Sequence, residues 1–486
     1  MASFSTAIKR VTPPTKCHPL VSFSTASQPP PSDDAVVSTA ASILKHHRSK
    51  SRWTELRSLF PTGFHPSQFS KITLQLRNNP RLALSFFQFT LTHSLCDHSL
   101  HSYSTIIHTL SRARLKSQTL ILMQSALIRF PDNLPSCPPK LFEVLVKTYR
   151  TCDSAPFVFD LLIEACLQSK RIDQSVEIVR MLGSQGLYPT ISTCNSLIRS
   201  VSKSRGCYAG YDMYREVFGF KGQSGSGSGN GGKVAVPNAH TFNVLMLAFF
   251  RDGLMGNVEE VWGEMGRVNC EPNSYSYSVL MAAYCENGRM EEALRVWEEM
   301  GDKGLKHDVA AYNTIIGGFC KSGEVGRAEG FFREMGLRGV ESSCVTFEHL
   351  IIGYCEIGDV GSALLLYEDM CRRGFRPEGL TIDVVIRGLC EKKRIFEALE
   401  LVRVATKKRD IILKEESYEC LIKGLCQERK MEEALMLQAE MVGKGYLPNS
   451  AIYESFVDGY MKQGNVELAG KLRKEMLENE KPLESN

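Results

Sequence analysis

The chain has 486 residues, 43% of them hydrophobic and 23% charged, which excludes global disorder and a collagen-like fibre. Its 16 cysteines are too few for a small disulfide-stapled fold, and no apolar run reaches the roughly 20 residues that span a bilayer. The net charge of +4, from 58 Lys+Arg against 54 Asp+Glu, does not by itself point to a nucleic-acid or membrane partner.

The N-terminus has the composition of an organellar transit peptide. Residues 1–32 contain no acid, few cations and many Ser, Thr and Ala. They lack the continuous apolar core of a secretory signal, so we do not expect export. Residues 21–26 favour a mitochondrial over a chloroplast address, and a merely disordered N-terminus is the alternative. We expect an extended spacer at residues 29–34. We assign residues 33–99 to the end of this spacer and a degenerate helical N-terminal cap.

Three residue types recur at one spacing through the second half of the chain. The cysteines are separated by 35, 35, 35 and 36 residues: Cys285, Cys320, Cys355, Cys390 and Cys426. Alanines keep the same step: Ala293, Ala328, Ala363, Ala398, Ala434 and Ala469. So do methionines: Met265, Met300, Met335 and Met370. A shared period and phase indicate a tandem repeat protein.

Residues 309–343 show the helical hairpin that each repeat predicts. Apolar residues recur at helical spacing in residues 312–319 and again in residues 325–335. Gly323 supplies the turn between the two helices, and Gly318 allows a close helix–helix approach. A single hairpin cannot bury both apolar faces, so it must stack on its neighbours. We therefore predict an all-α fold, a right-handed superhelical solenoid of helix-turn-helix repeats.

The phase of the repeat divides the chain into segments. Degenerate repeats occupy residues 100–155, tandem 35-residue repeats fill residues 156–476, and a short tail covers residues 477–486. The tandem units start at residues 156, 191, 239, 274, 309, 344, 379, 415 and 450. The unit that starts at 191 is longer than its neighbours because of a Gly/Ser insertion at residues 222–233. That composition predicts a flexible surface loop.

The units resemble the pentatricopeptide repeat. Ala311-Tyr-Asn-Thr-Ile-Ile-Gly-Gly-Phe-Cys-Lys-Ser-Gly matches the family's aromatic-Asn-Thr-Leu-Ile opening and its Gly-Leu-Cys-Lys-x-Gly turn. Gly288-Arg-Met-Glu-Glu-Ala-Leu-Arg-Val-Trp-Glu-Glu-Met matches its second helix, and Gly445-Tyr-Leu-Pro-Asn matches its ending. The related tetratricopeptide repeat has a different period. The resemblance covers roughly residues 100–476 and is to the plain repeat-only (P-type) subclass of plant organelles.

The resemblance implies sequence-selective binding of single-stranded organellar RNA, with about one base per repeat. In the family, one reading residue follows the first-helix aromatic and the other closes the repeat. Asn and Ser can both donate and accept hydrogen bonds, which suits the Watson–Crick edge of a base. Carried over to this sequence, the pairs are Asn195 with Asn238, Asn243 with Asn273, Ser278 with Asp308, and Asn313 with Ser343. The family's pairing rules then imply pyrimidine, pyrimidine, guanine and cytosine, read 5′ to 3′.

The remaining units depart from that pattern. Acids dominate the later pairs, which are Glu348 with Glu378, Asp383 with Lys414, and Glu419 with Asn449, followed by Glu454. Near the start, Asp160 with Thr190 is also unusual. An ionised carboxylate cannot donate a hydrogen bond and is repelled by phosphates. We therefore expect base reading in the four units between residues 191 and 343.

The recurring residues also have structural interpretations. The aromatic series at Phe242, Tyr277, Tyr312, Phe347, Tyr418 and Tyr453 is more typical of core packing than of base stacking. The cysteines lie one repeat apart, which indicates small buried hydrophobes rather than a metal site. Asn195, Asn243 and Asn313 could be solvated helix caps, but their recurrence in one phase favours base contact.

No sequence motif indicates catalysis, a cofactor or a small-molecule substrate. We expect a non-enzymatic factor that occupies organellar RNA sterically and thereby assists its stabilisation, processing, splicing or translation. The alternative is a protein-interaction scaffold, for instance a ribosome-associated subunit, that uses the same solenoid. Charge favours RNA near the first half, because residues 1–238 hold 27 Lys+Arg and 13 Asp+Glu, whereas residues 239–476 hold 30 and 38.

Overall fold

The computed structural model describes residues 32–46, 49–131, 139–219, 236–409 and 413–479. Every helix or strand assigned in these residues is an α-helix, which confirms the all-α prediction. The helices fall into two compact units, residues 1–178 and 179–486. Within the same described segments, no helix is long and apolar enough to cross a membrane. The predicted transit peptide up to residue 31, the Gly/Ser insertion and the end of the tail lie outside the described residues.

The first unit contains α1 to α8 and the start of α9. Their bounds are α1 (Asp33–His46), α2 (Ser49–Leu59), α3 (Pro66–Gln75), α4 (Pro80–Thr92), α5 (Leu100–Arg112), α6 (Lys116–Arg129), α7 (Lys140–Thr148), α8 (Phe157–Gln168) and α9 (Ile172–Ser184). His108 of α5 is fully buried and hydrogen-bonded to Thr148 and Ser154 at 3.0 and 2.6 Å. Burial lowers the pKa of His108 to about 4, so this imidazole is neutral near pH 7.

The second unit is a row of helical hairpins. The bounds are α10 (Ile191–Arg205), α11 (Cys207–Phe218), α12 (Ala239–Arg251), α13 (Met255–Arg267), α14 (Ser274–Glu286), α15 (Met290–Asp302), α16 (Val309–Lys321), α17 (Val325–Leu337), α18 (Cys344–Glu356), α19 (Val360–Arg372), α20 (Gly379–Glu391), α21 (Ile395–Arg409), α22 (Glu415–Gln427), α23 (Met431–Gly443), α24 (Ser450–Lys462) and α25 (Val466–Asn479). Each even-numbered helix is the first of its hairpin. It packs on its own second helix and on the first helices of the neighbouring hairpins, as α16 does on α17, α14 and α18. The helical-repeat prediction is confirmed, and the handedness of the superhelix stays a prediction.

A glycine in each later first helix explains why the cysteines share its phase. A Cβ added at Gly318 would lie 2.5 Å from the Cys285 sulfur, and one at Gly353 would lie 2.7 Å from Cys320 Cβ. Cys285 and Cys320 therefore pack directly against the glycine of the next hairpin, where a larger residue would push the helices apart. Burial raises the pKa of both thiols to about 12, so they remain protonated and act as small apolar groups.

The recurring aromatic residues are part of the core, as the sequence predicted. Five of the six are almost completely inaccessible, namely Phe242, Tyr277, Tyr312, Phe347 and Tyr418. Where the ring is a tyrosine, its hydroxyl donates to a glutamate of the second helix. Tyr277 reaches Glu299 at 2.9 Å, and Tyr312 reaches Glu334 at 3.2 Å. These bonds tie the two helices of a hairpin together and let a phenol be buried with its polar group satisfied.

The turn between the two helices of a hairpin requires a left-handed backbone. Glycine supplies it in four consecutive hairpins, at Gly253, Gly288, Gly323 and Gly358, with φ between 69° and 79°. In the next two hairpins Lys393 and Arg429 adopt the same conformation at φ 59° and 61°. A side chain at such a position is strained, because its Cβ crowds the following carbonyl oxygen.

Candidate nucleic-acid interface

The residues that close the repeats are the N-caps of the following first helices. Asn238, Asn273 and Asp308 each accept a hydrogen bond from the backbone amide three residues later, at 3.1, 2.9 and 2.9 Å. Ser343 does the same for α18 at 3.3 Å. Short polar side chains are preferred there because they satisfy a backbone donor that has no partner within the helix. The closing members of the predicted reading pairs therefore cap the N-termini of α12, α14, α16 and α18.

Three of the four predicted pairs are joined by side-chain hydrogen bonds. The Nδ2 group of Asn195 donates to Asn238 Oδ1 at 3.3 Å, and that of Asn243 donates to Asn273 Oδ1 at 3.4 Å. Asn238 thus stands beside Asn195 even though the Gly/Ser insertion separates them in sequence.

The third and fourth predicted pairs differ from each other. The Nδ2 group of Asn313 donates to Ser343 Oγ at a shorter 3.0 Å. The Ser278 hydroxyl instead donates to the Ser274 carbonyl oxygen of its own helix at 3.0 Å. Asp308 is engaged in capping α16. No hydrogen bond joins Ser278 to Asp308, although both lie in the described part of the chain.

Two of the predicted base-reading asparagines contain an unpaired acceptor. Asn195 and Asn243 are each only 3% exposed, so the interpretation of these residues as solvated helix caps is wrong. Among the described residues, no donor reaches Oδ1 of either side chain. A shielded acceptor without a partner is unfavourable, and its presence calls for an explanation such as a bound donor. Both side chains therefore retain capacity for a further hydrogen bond.

A basic cleft lies beside Asn243. Its volume is about 470 Å³, and it is lined by residues of α10, α12 and the start of α14. Three cations line it, namely Arg199, Lys203 and Arg251, against one acid, Asp252. Arg199 donates to the Nε2 atom of His240 at 3.0 Å, and the ring of Tyr275 is half exposed at the edge. Cations together with an exposed aromatic ring suit a phosphate and a base.

These three cations were not among the site residues predicted from the sequence. A signal was available, because Lys203 and Arg251 are each the thirteenth residue of successive units. The next two units place Glu286 and Lys321 there, and these two side chains form an ion pair with each other. The ion pair compensates the charge at this position in these two units, whereas Lys203 and Arg251 line the basic cleft.

Two of the acids at the later reading positions, Glu348 and Asp383, cap the N-terminus of the next first helix, whereas Glu419 accepts a hydrogen bond from the side chain of Asn449. Glu348 Oε1 accepts from the backbone amide of Glu378 at 2.9 Å. Asp383 Oδ1 accepts from the Lys414 amide at 3.2 Å and from the Ser417 hydroxyl at 2.6 Å. Glu378 and Lys414, the N-cap residues of α20 and α22, form no side-chain capping bond of their own. A carboxylate near a helix N-terminus is also favoured by the helix dipole.

Comparisons with known proteins agree with this architecture. A model described as the PPR repeat family matches residues 237–286, 307–355 and 343–391. A second, described as the PPR repeat, matches residues 275–305, 416–446 and 451–480.

Two curated relatives come from Arabidopsis thaliana. The pentatricopeptide repeat-containing protein At2g15980 is 53% identical over 246 residues, which cover 50% of this chain and 49% of that protein. The mitochondrial pentatricopeptide repeat-containing protein At4g26680 is 27% identical over 36% of this chain and 33% of that protein. The aligned part of the chain thus spans about half the length of the first relative and a third of the second.

Among solved structures, the maize pentatricopeptide repeat protein PPR10 is 15% identical, with a TM-score of 0.39 over 91% of this chain and 78% of that one. In its complex with an 18-nt psaJ RNA element the TM-score is 0.41 at 16% identity, over 93% and 74%.

Proposed function

Since the chain is a pentatricopeptide repeat protein, we propose that it binds single-stranded RNA through the first helices of residues 191–343. The observation that carries this proposal is the combination of unpaired amide oxygens on Asn195 and Asn243 with the basic cleft beside them. The first feature calls for a hydrogen-bond donor, and the second calls for an anion. A nucleotide supplies both, the donor on its base and the anion on its phosphate.

The groups have complementary tasks in this mechanism. Arg199, Lys203 and Arg251 attract the phosphates, while the asparagine amides address the base edges. RNA held in this way is shielded from nucleases and from pairing with another strand. The binding itself would thus stabilise a transcript or assist its processing, splicing or translation, without any catalytic residue. Relatives whose names include the word mitochondrial support a site of action in that organelle, with the chloroplast as the alternative.

Binding of a defined RNA tests the proposal. The probe is an oligouridine that carries the core pyrimidine-pyrimidine-guanine-cytosine, and its affinity for the full chain is measured by fluorescence anisotropy. Replacing Asn243 and Asn313 together by alanine should weaken binding by about 100-fold, the effect of losing two base contacts. Asn257→Ala, on the second helix α13, is the matched control and should leave the affinity unchanged. Equal affinities of the double variant and the control would contradict the proposal.

One observation favours a second function for the later units. The carboxylates of Glu348 and Asp383 are already bound to helix N-termini, which leaves them unsuited to base reading. These units would instead contact protein, for instance a ribosomal subunit. The test is co-sedimentation of the chain with ribosomal subunits after RNase treatment, because a factor held only by RNA would be released.

A further inference from the structure

The hairpin α10–α11 and the hairpin α12–α13 are connected by an unusually long stretch of chain. Residues 219–238 lie between α11 and α12, whereas residues 268–273 separate α13 from α14. A longer connection restrains its two ends less, because the entropy lost in bringing them together grows with its length. Contacts between the two hairpins must therefore set how α10 and α12 lie side by side, and the basic cleft is at this junction.

Two tyrosines of α11 donate to one carboxyl group of α13. The Tyr211 hydroxyl donates to Glu264 Oε2 at 2.7 Å, and the Tyr214 hydroxyl donates to Glu264 Oε1 at 3.1 Å. Glu264 is only 9% exposed, and Tyr214 is fully buried. Burial raises the pKa of Tyr211 to about 12 and also raises that of Tyr214, so both phenols keep the protons that they donate. We call these three residues the Glu264 clamp.

The clamp differs from the other tyrosine–glutamate bonds of the second unit. Tyr277 and Tyr312 donate to a glutamate within their own hairpin, so those bonds do not join neighbouring hairpins. Glu264 instead joins the second helices of two successive hairpins. Tyr208 also crosses this junction and donates to Asn257 at 3.2 Å. That tyrosine is 56% exposed, so water competes for its bond and the bond contributes little.

The rings of the clamp also pack on the first helix of the next hairpin. The Tyr211 ring lies 5.8 Å from that of Phe249, and the Tyr214 ring lies 5.8 Å from that of Phe242, both edge to face. The two phenylalanines are almost completely buried on α12. The clamp therefore attaches α11 to both α12 and α13. Since α11 packs on α10, it also fixes α10 relative to α12.

The basic cleft needs this fixed spacing, because its cations come from both hairpins. Arg199 and Lys203 lie on α10, and Arg251 lies on α12. Two hydrogen bonds inside the groove also cross the junction, but they involve Arg199 and Asn195, which the proposed function assigns to RNA. The clamp residues, all in the described part of the chain, are not among those that line the cleft. They can therefore hold the junction whether or not RNA is bound.

We infer that Glu264 is a positioning residue for RNA binding, because it keeps Arg199 and Lys203 at the distance from Arg251 that consecutive phosphates require. The inference rests on the proposed function and names a residue outside the binding surface on which that function depends. Without the carboxyl group, the two phenols would lose their acceptor in a region that excludes water. The hairpins would then separate locally, and the cations of α10 would no longer act together with the cation of α12.

A double-mutant cycle tests the inference with the full chain and the RNA described above, at low salt so that weak binding is measurable. Glu264→Ala should lower the affinity about tenfold, the effect of one buried hydrogen-bonded group. In a chain that already carries Arg199→Ala and Lys203→Ala, the same change should cause no further loss. The slope of log affinity against log salt should fall by about 0.7 for each cation that loses its phosphate. Glu264→Gln retains an acceptor oxygen and should restore most of the affinity.

Glu299→Ala is the matched control, because it removes the acceptor of the buried Tyr277 within a single hairpin. Its effect on RNA affinity should be small and the same with or without the two cations. If Glu264→Ala does not fold, Tyr211→Phe retains the ring, removes one donor and should give the same pattern with a smaller loss. An unchanged affinity, or equal losses in both backgrounds, would show that Glu264 does not position the cleft. Failure of the wild-type chain to bind the RNA would instead contradict the proposed function.

Discussion

The early units, residues 191–343, and the late units, residues 344–449, share a scaffold but use the same position differently. In both, the fifth residue of a first helix reaches the residue that closes the repeat. In the early units Asn195, Asn243 and Asn313 meet an N-cap that already satisfies its helix. In the late units Glu348 and Asp383 accept the N-cap amide of the next helix. The fifth-position carboxylates Glu348 and Asp383 are therefore bound to a helix N-terminus, whereas the fifth-position amides of the early units are not.

The two regions carry the same net charge, because residues 191–343 and residues 344–449 each hold 16 Lys+Arg and 18 Asp+Glu. They differ in where the cations lie, since Arg199, Lys203 and Arg251 line one cleft of the early units. Phosphate contacts dominate the affinity of proteins for nucleic acids, so this local cluster favours binding there. The comparison therefore predicts that RNA affinity and helix capping respond to different substitutions in the two regions.

The largest expected effect concerns the basic cleft. Replacing Arg199, Lys203 and Arg251 together by alanine should weaken RNA binding by about 100-fold near physiological salt. The affinity of the variant should also depend less steeply on salt concentration, because a protein that makes fewer phosphate contacts releases fewer counterions on binding. Binding is measured over a range of salt concentrations. A matched triple variant of exposed second-helix cations, Arg372, Arg373 and Arg403, should retain nearly full affinity. Equal losses in the two variants would remove the distinction between the regions.

A smaller effect, on local stability, is expected for Asp383, whose carboxylate caps the N-terminus of α22. Asp383→Ala removes the acceptor for the Lys414 amide and the Ser417 hydroxyl. The loss of such a cap costs about 1 kcal/mol, so hydrogen exchange at the Lys414 amide should accelerate by roughly fivefold to tenfold. Asp383→Asn retains an acceptor oxygen and should accelerate exchange less. RNA affinity should be unchanged in both variants, and a clear loss would show that this late unit contacts RNA.

The smallest effect concerns the turns of the late hairpins. Lys393 and Arg429 occupy the left-handed position that glycine fills in the four preceding hairpins. Lys393→Gly should remove the crowding of the Lys393 Cβ and stabilise the second unit by about 0.5–1 kcal/mol. The greater conformational entropy of glycine in the unfolded chain offsets part of this gain. The measurement is the thermal unfolding midpoint of the chain. Gly323→Lys, the reverse change in an early hairpin, should lower that midpoint.

Much of the architecture was predictable because its causes are local. The spacing of residues 312–335 specifies two amphipathic helices, and the glycine between them marks the turn. The 35-residue period also places each pair of predicted reading residues at one junction, and the structure brings three of the four pairs into hydrogen-bond contact. The pairing of Ser278 with Asp308 did not follow, because each side chain has a bond closer in sequence.

The sequence by itself determined the helical hairpins, their order and the aromatic and cysteine layers, because apolar periodicity dictates which face of a helix is buried. Tertiary structure alone decided what each polar position does. Glu348 accepts an amide 30 residues away, Thr346 donates to Asn313 from the next repeat, and Arg199 meets His240 across the Gly/Ser insertion. A hydrogen bond depends on distances of a few tenths of an ångström, and only the packing of neighbouring hairpins sets those distances.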